Sequence, residues 1–429
     1  MAAPPPGPPR GEQQGRLNAE FCQADIFGFL QKLTENYGDV VGFDLGSKPY
    51  IFVGGAAQVH ELFSRHEAFL RKPEFIKDSN RGHWGDGLTT LEGSAWQSRR
   101  RILAACFKTD FVAHYLSIVA HCTEAMLDSW ADSLAAGAQS DPTNDLLILT
   151  ARIALRAVLG AELEGYGEGF ATVPLAEAYG EPYAGVHGGD AIAPLAVVRP
   201  RAPRHMDETI RIIDASIADS GAGNDVLSQL VRARLPDGGR LTREEIIAEV
   251  MQMLYAGHHT IPTSVIRFWR DCCASRYSTR LATEADRLCA AAIPSRDAIA
   301  ESFCLAAFKE CMRLNPAAPM LYREVETAFE LDGFEFPRDA GVWVSPQLLH
   351  RNPDHFPEPY RFIPERFYCS GPELTPRPPY YPFGAGRRVC IANILALHQM
   401  VLVALLSARR FGWVIDGEGL RRVDRRVGS

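Results

Sequence analysis

One cysteine, Cys390, closes a run of unusual composition: Tyr380-Tyr381-Pro382-Phe383-Gly384-Ala385-Gly386-Arg387-Arg388-Val389-Cys390-Ile391-Ala392. Gly384 and Gly386 allow a sharp turn and a close backbone approach to a flat partner. An apolar helical run, residues 391–406, starts at once behind it. A thiolate there lies near a helix N-terminus, where unpaired N–H groups and the helix dipole stabilise negative charge. Arg388, two residues earlier, can reach an anionic group beside whatever the sulfur binds. These residue types suit an anionic sulfur ligand to a metal centre, with a cation for an acidic group on the same cofactor. A lone cysteine before an apolar helix is, on its own, more often a buried core residue.

Three further constellations carry chemistry. Glu310 and Arg313 are three apart and share one helix face. Alone, such a pair is an ordinary surface ion pair, but Arg361-Phe362-Ile363-Pro364-Glu365-Arg366-Phe367 supplies a second arginine, Arg366. Leu254-Tyr255-Ala256-Gly257-His258-His259-Thr260-Ile261-Pro262 interrupts an apolar helical pattern. Pro262 cannot donate to the carbonyl of residue 258, so a kink with a free carbonyl is expected there. The Thr260 hydroxyl either bonds back to its own helix or faces a site. Trp96 and Arg100, four apart, could bond one carboxylate, or form a core indole beside a solvated basic run. A metal site built from His258, His259, His350 and His355 is disfavoured, because no spacing joins them to a third ligand on one face.

The elements that must position these groups are mainly helical, with a minor β region. Helices are expected near 25–37, 94–105, 110–136, 144–159, 167–178, 205–218, 279–289 and 297–314. The longest, 242–273, opens with a T-x-x-E capping box and spans about 45 Å at 1.5 Å per residue. Strands are expected at 39–45, 50–53, 324–331, 334–336 and 342–345. Residues 71–93 read as a long loop with little periodicity, of the kind that is usually functional. Residues 1–17 are rich in Pro, Gly and Gln and read as a disordered tail before a single domain, 18–429.

The bulk properties narrow the partners. A net charge of −7 without a Lys/Arg tract argues against nucleic acid. No apolar run reaches the length of a membrane span. None of the ten cysteines forms a C-x-x-C pair, so nine read as reduced structural residues of a cytoplasmic protein.

In this order, F-x-x-G-x-R-x-C, E-x-x-R and P-E-R-F resemble the cytochrome P450 family, and the likeness runs from about residue 40 to 411. The resemblance implies the P450 fold, with the long central helix over a buried haem b, and Cys390 as the iron ligand in a loop containing Phe383, Gly386 and Arg388. It implies that Glu310, Arg313 and Arg366 lock this loop from behind, and that Trp96, Arg100, Arg323, His350 and Arg388 face the haem propionates. It assigns oxygen activation to Ala256, Gly257 and Thr260, with His259 in the usual acid position and Ile261 where Thr or Ser is usual. The carboxylate relay is therefore missing, and His259 or water must carry protons. Ala392 replaces the usual glycine after the cysteine. The chain ends soon after Val414, so the hairpin wall of the pocket is expected to be truncated or built differently.

The implied activity is monooxygenation, hydroxylation or epoxidation, of a mainly apolar small molecule, as in bacterial tailoring enzymes of specialised metabolism. Electrons are expected from NAD(P)H through a ferredoxin reductase and a ferredoxin, docked near Arg101, Lys108 and Arg387. The implied pocket includes Phe75, Trp84, Leu88, Tyr255, Met320 and Leu321, with His83, Asp86 and Asp190 for polar decoration and residues 178–192 as a further wall. The alternative is a peroxide-driven or non-oxygenating haem-thiolate enzyme.

Overall fold

The computed structural model describes residues 2–107, 109–137, 142–161, 206–290, 292–368, 379–416 and 419–425. Helices dominate it. The central one, Arg243–Ala274, begins with the anticipated capping box: Thr242 Oγ1 accepts from Glu245 N–H at 3.2 Å, and Glu245 Oε2 accepts from Thr242 N–H at 2.8 Å. The helix runs unbroken through Pro262. It packs on Pro142–Leu159, and on Phe303–Leu314, where the Phe268 and Phe308 rings stack at 3.8 Å. Asn393–Arg410 follows the cysteine loop into the same apolar core, with Val401, Leu402 and Leu405 fully buried.

The minor β region is a five-stranded sheet, ordered β1-β2-β7-β4-β3, plus two hairpins. Strands β1 (Val40–Leu45) and β2 (Lys48–Val53) pair antiparallel across a turn that needs Gly46 at φ 59°. Strand β3 is Leu70–Arg71, β4 is Leu321–Val325, β5 Phe329–Leu331, β6 Phe334–Phe336 and β7 Gly341–Val344. Strand β4 pairs with both β3 and β7, which brings Arg323 from late in the chain beside Glu67-Ala68-Phe69, just ahead of β3.

Two readings of the sequence change. The N-terminal segment is not a free tail to residue 17: Glu12–Ala24 is a helix, and ahead of it Ala3 bridges to Phe334 of β6 while Pro6 and Gly11 meet β1. Gly42 N–H donates to Pro6 O at 2.8 Å, and Gly11 N–H to Asp44 Oδ2 at 2.9 Å. An edge strand offers unpaired backbone groups, which even a Pro/Gly-rich segment can satisfy. Residues 74–84 form a helix, Glu74–Trp84, inside the expected loop. After the last helix the chain forms one short hairpin, β8 (Phe411–Asp416) and β9 (Gly419–Asp424), whose Trp413 packs on Trp130 and Trp269. The expected helix at 167–178 and the pocket wall 178–192, with Asp190, lie outside the described residues, as does Lys108. Among the described residues no single helix is long and apolar enough to cross a membrane.

Candidate haem-thiolate site

The cysteine loop is a closed turn. Cys390 N–H donates to Phe383 O at 2.9 Å, and Gly384 N–H to Tyr381 O at 3.1 Å. Gly384 and Gly386 adopt φ 79° and 70°, left-handed values that side chains disfavour. A 3-10 turn, Gly386–Arg388, leads to the cysteine, and the helix proper starts at Asn393. Of the nine described cysteines, all free, Cys390 alone is exposed. The surrounding protein raises its thiol pKa, while the Ala392 N–H and the Arg100 charge act the other way. Those two groups are what a thiolate ligand requires.

The triad residues meet behind this loop. Arg313 Nε and Nη2 bond the two Glu310 oxygens at 2.7 and 2.9 Å, and Arg366 Nε reaches Glu310 Oε1 at 3.3 Å. Arg313 also donates to the carbonyls of His350, Pro359 and Arg361 at 2.7, 2.7 and 3.1 Å. His350 sits with this network and not among the rim cations. Burial and the Arg313 charge push it down to about 3, so its ring stays neutral and Nε2 accepts Tyr381 N–H at 2.8 Å. It is a strut for the start of the cysteine loop; its expected propionate role does not fit its contacts.

On the other side of the loop, cations converge on Trp96. Arg388 Cζ lies 4.4 Å from the indole centroid and Arg100 Cζ 5.7 Å. Arg100 Nη2 donates to Val389 O at 2.8 Å, next to the cysteine. Arg388 pairs with Glu92. Arg323 is deeply buried, which lowers its pKa, and Glu67 opposes that. Its Nε has no partner among the described residues. Sequence reasoning missed Lys72, which belongs to the same cluster. Its Nζ donates to Thr89 O at 2.6 Å, and burial beside Arg388, Arg323 and Arg100 pushes it down to about 7. Four cations, Lys72, Arg100, Arg323 and Arg388, thus share the carboxylates Glu67 and Glu92, with Glu249 acting on Lys72 from the central helix. The unmatched charge and the orphaned Arg323 Nε suit a dianionic edge, and the exposed Cys390 suits a metal at the centre of the same flat group. Haem fits these residues.

On the central helix Ala256 and Thr260 are exposed four residues apart, hence on one face. Thr260 Oγ1 donates to Ala256 O at 3.3 Å, the back-bonded form. A Cβ added at Gly257 would meet only Ala154 Cβ at 4.0 Å, so packing does not demand glycine there. The His258 and His259 side chains lie outside the described residues, as do those of His83 and Trp84. Gln252 pins the helix to residues 85–89: it accepts from Thr89 N–H at 3.0 Å and from Thr89 Oγ1 at 2.7 Å, and donates to Gly85 O at 3.2 Å. Buried Glu249 pairs with Arg99 at 3.1 Å, and burial pushes its carboxyl up to about 7. Neither side chain had a spacing signal.

Of the expected pocket residues, Leu88 and Tyr255 are half-buried against the main core, and Leu321 borders the turn at Gly384. Phe75 is partly exposed, edge-to-face on Tyr322. Met320 is buried with Phe43 and Trp343 in the sheet-side core, so it is a packing residue there.

A mainly helical fold with an exposed cysteine in a glycine turn, a buried Glu/Arg network behind it and a cationic rim defines a haem-thiolate class of protein. The comparisons agree. The Cytochrome P450 family model matches residues 4–172 and 198–427, and the chain belongs to that family, whose members are haem monooxygenases. It is 26% identical over 402 residues to cyclooctatin synthase of Streptomyces melanosporofaciens, covering 89% of this chain and 84% of the relative. Cyclooctat-9-en-7-ol 5-monooxygenase of the same organism is 27% identical over 400 residues, with the same coverages. A solved structure titled retinoic acid bound cyanobacterial CYP120A1 shares the fold, with a TM-score of 0.76 at 21% identity, covering 97% of this chain and 94% of that one.

Proposed function

We propose that the protein inserts one atom of dioxygen into a mainly apolar, cyclic small molecule of natural-product type. The carrying observation is the exposed Cys390 beside a cationic rim, in a chain whose central helix presents Ala256 and Thr260. Apolar Leu88, Tyr255 and Leu321 support an apolar substrate. So do the relatives named for cyclooctatin and cyclooctat-9-en-7-ol.

The overall change consumes substrate, dioxygen, two electrons and two protons, and yields hydroxylated product and water. Haem would supply the oxygen chemistry, and a thiolate donor favours O–O cleavage. The chain's own residues do the rest. Cys390, with Ala392 N–H and Arg100 beside it, holds a negative sulfur. Trp96, Arg100, Arg323, Arg388 and Lys72 hold the acidic edge. The Glu310, Arg313 and Arg366 network fixes the loop. Thr260 carries a hydroxyl proton that can leave Ala256 O for a reacting oxygen, and His259 or water resupplies it. Ferredoxin docking is assigned to the exposed Arg387 of the loop and the exposed Arg101.

The test is a reduced, carbon-monoxide-treated spectrum, followed by turnover of cyclic terpenoid candidates. A thiolate-type Soret band that Cys390→Ala abolishes, with product formed from NAD(P)H, reductase and ferredoxin, supports the proposal. An imidazole-type band would sink it. Product from peroxide alone would favour the peroxide-driven alternative.

A further inference from the structure

Glu67 belongs to none of the motifs. It begins a short 3-10 turn, Glu67–Phe69, and is 7% exposed. Its backbone is clamped on both sides. Leu70 N–H closes the turn on Glu67 O, and Phe69 O accepts from Glu326 and Thr327 N–H at 2.8 and 3.2 Å. Strand β3 follows directly and pairs with β4, so the residue is fixed to the sheet that carries Arg323.

The side chain crosses to the cysteine loop. One carboxylate oxygen accepts from Arg387 N–H, and the other accepts from Arg388 N–H at 3.2 Å. These donors belong to the turn Gly386–Arg388, two and three residues before Cys390. Gly386 is shaped around the contact: a Cβ there would lie 2.4 Å from Glu67 Oε2. The carboxylate also acts electrostatically on Arg100, Arg323 and Arg388. A buried carboxylate that accepts two backbone N–H bonds amid cations is strongly held.

We infer that Glu67 is a positioning residue for the metal ligand: it ties the sheet to the turn that presents Arg388 and Cys390, and sets one negative charge beside the acidic edge of the cofactor. The inference rests on the haem-thiolate reading. Removing Glu67 frees the turn, so both the sulfur–iron bond and the grip of Arg388 loosen. Removing only its charge leaves the turn partly held and makes the cofactor edge more positive, which favours the reduced iron.

The experiment uses the haem-loaded full chain with Glu67→Ala and Glu67→Gln. Three readings are taken: the reduced carbon-monoxide spectrum, the rate of haem transfer to excess apomyoglobin, and the midpoint potential. For Glu67→Ala, part of the thiolate-type band should convert to the protonated-thiol type. Haem should be lost at least about tenfold faster, as for loss of a charge-assisted hydrogen bond. For Glu67→Gln, haem loss should fall between wild type and Ala, with the potential raised. Either variant with wild-type spectrum, transfer rate and potential overturns the inference, even if its melting temperature falls, because lowered stability alone is what a purely structural residue gives. If Glu67→Ala does not fold, Glu67→Gln decides by its potential and transfer rate. A wild type without the thiolate band overturns the underlying reading, and the inference with it.

Discussion

Arg313 and Glu310 face each other through two parallel bonds of 2.7 and 2.9 Å, and neither side chain has any exposed surface. The remaining Arg313 donors go to the carbonyls of His350, Pro359 and Arg361, and Glu310 Oε1 also takes Ile363 N–H at 2.9 Å. The pair is thus the knot of the irregular segment leading to the cysteine loop. Removing either partner leaves a buried charge, at a cost of about 3–5 kcal/mol. Arg313→Ala and Glu310→Ala should therefore give little folded, haem-bearing protein. Arg313→Lys should not rescue it, since one ammonium cannot replace the forked donors. Arg366→Ala should lose about 1–3 kcal/mol, because its longer bond to Glu310 and its donations to the carbonyls of Pro357 and Glu358 come from a residue nearer solvent. Urea unfolding and haem content measure all four; an Arg313→Lys protein of wild-type stability would refute the geometric argument.

The two loop glycines should respond unequally. Both have positive φ, so alanine strains either backbone by about 1–2 kcal/mol. At Gly384 the added carbon meets only Leu321 Cδ2, at 3.8 Å, whereas at Gly386 it strikes the Glu67 carboxylate. Gly386→Ala should therefore lower the unfolding midpoint and the haem occupancy more than Gly384→Ala. Glu67→Ala should cost less in a Gly386→Ala background than in the wild type, since there it also relieves the clash. Equal effects at the two glycines, or strict additivity in the double variant, would show that Glu67 does not constrain the turn.

This asymmetry shows what the sequence reveals and what it hides. Cys390, Glu310, Arg313 and the central helix are legible because their chemistry depends on short spacings: three along a helix, two along a loop, a capping box at an N-terminus. Glu67 is silent because the turn it holds lies 320 residues away, and Lys72 because its neighbours Thr89, Arg100, Arg323 and Arg388 come from separate parts of the chain, so no short spacing marks either. His350 misled for the same reason. Its neighbours suggested the rim, but its depth beside Arg313 made it a neutral acceptor. The docked N-terminal segment was hidden by composition, since Pro and Gly signal disorder only where no strand edge is free to take them.

Lys72 predicts a pH effect on cofactor binding. Its pKa falls from 10.5 to about 7 in the haem-free fold, chiefly through burial, then through Arg388, Arg323 and Arg100. The unfolded chain therefore binds more protons than the folded chain between those values, so Lys72 contributes stability that rises with pH above about 7. Glu249 has the opposite sign, because its raised pKa makes the folded state hold an extra proton from 4.5 to about 7, where it is still half titrated. The buried thiols, also raised, remove stability from roughly a unit below their unfolded value of 9.0 upward. The Lys72 contribution is therefore read as the difference between wild type and Lys72→Met, which should grow with pH above about 7 in the haem-free protein. A dianionic edge would restore the Lys72 charge, so the same difference should stay flat in haem-loaded protein, and binding should take up a proton. Urea midpoints against pH, with and without haem, make the comparison; identical slopes would remove Lys72 from the cofactor edge.

Thr260 is the place where proton supply can be tested without disturbing the fold. Its hydroxyl rests on Ala256 O, a bond that adds little to a helix already held by the packing of Phe268 and Val265. Two residues on, Pro262 has no N–H for the carbonyl of residue 258, which leaves that carbonyl without its helical donor. Thr260→Ala should keep its stability and its cofactor spectrum. It should send a several-fold larger share of consumed electrons to hydrogen peroxide, because the positioned donor is gone. Thr260→Ser, which keeps the hydroxyl, should couple nearly as well as wild type. If His259 resupplies the proton, coupling should also change near its ordinary pKa of about 6.5, and His259→Gln should abolish that dependence. Peroxide yield per NAD(P)H across pH measures both effects. Coupling unchanged in Thr260→Ala would mean that protons reach the oxygen by a route that avoids the central helix.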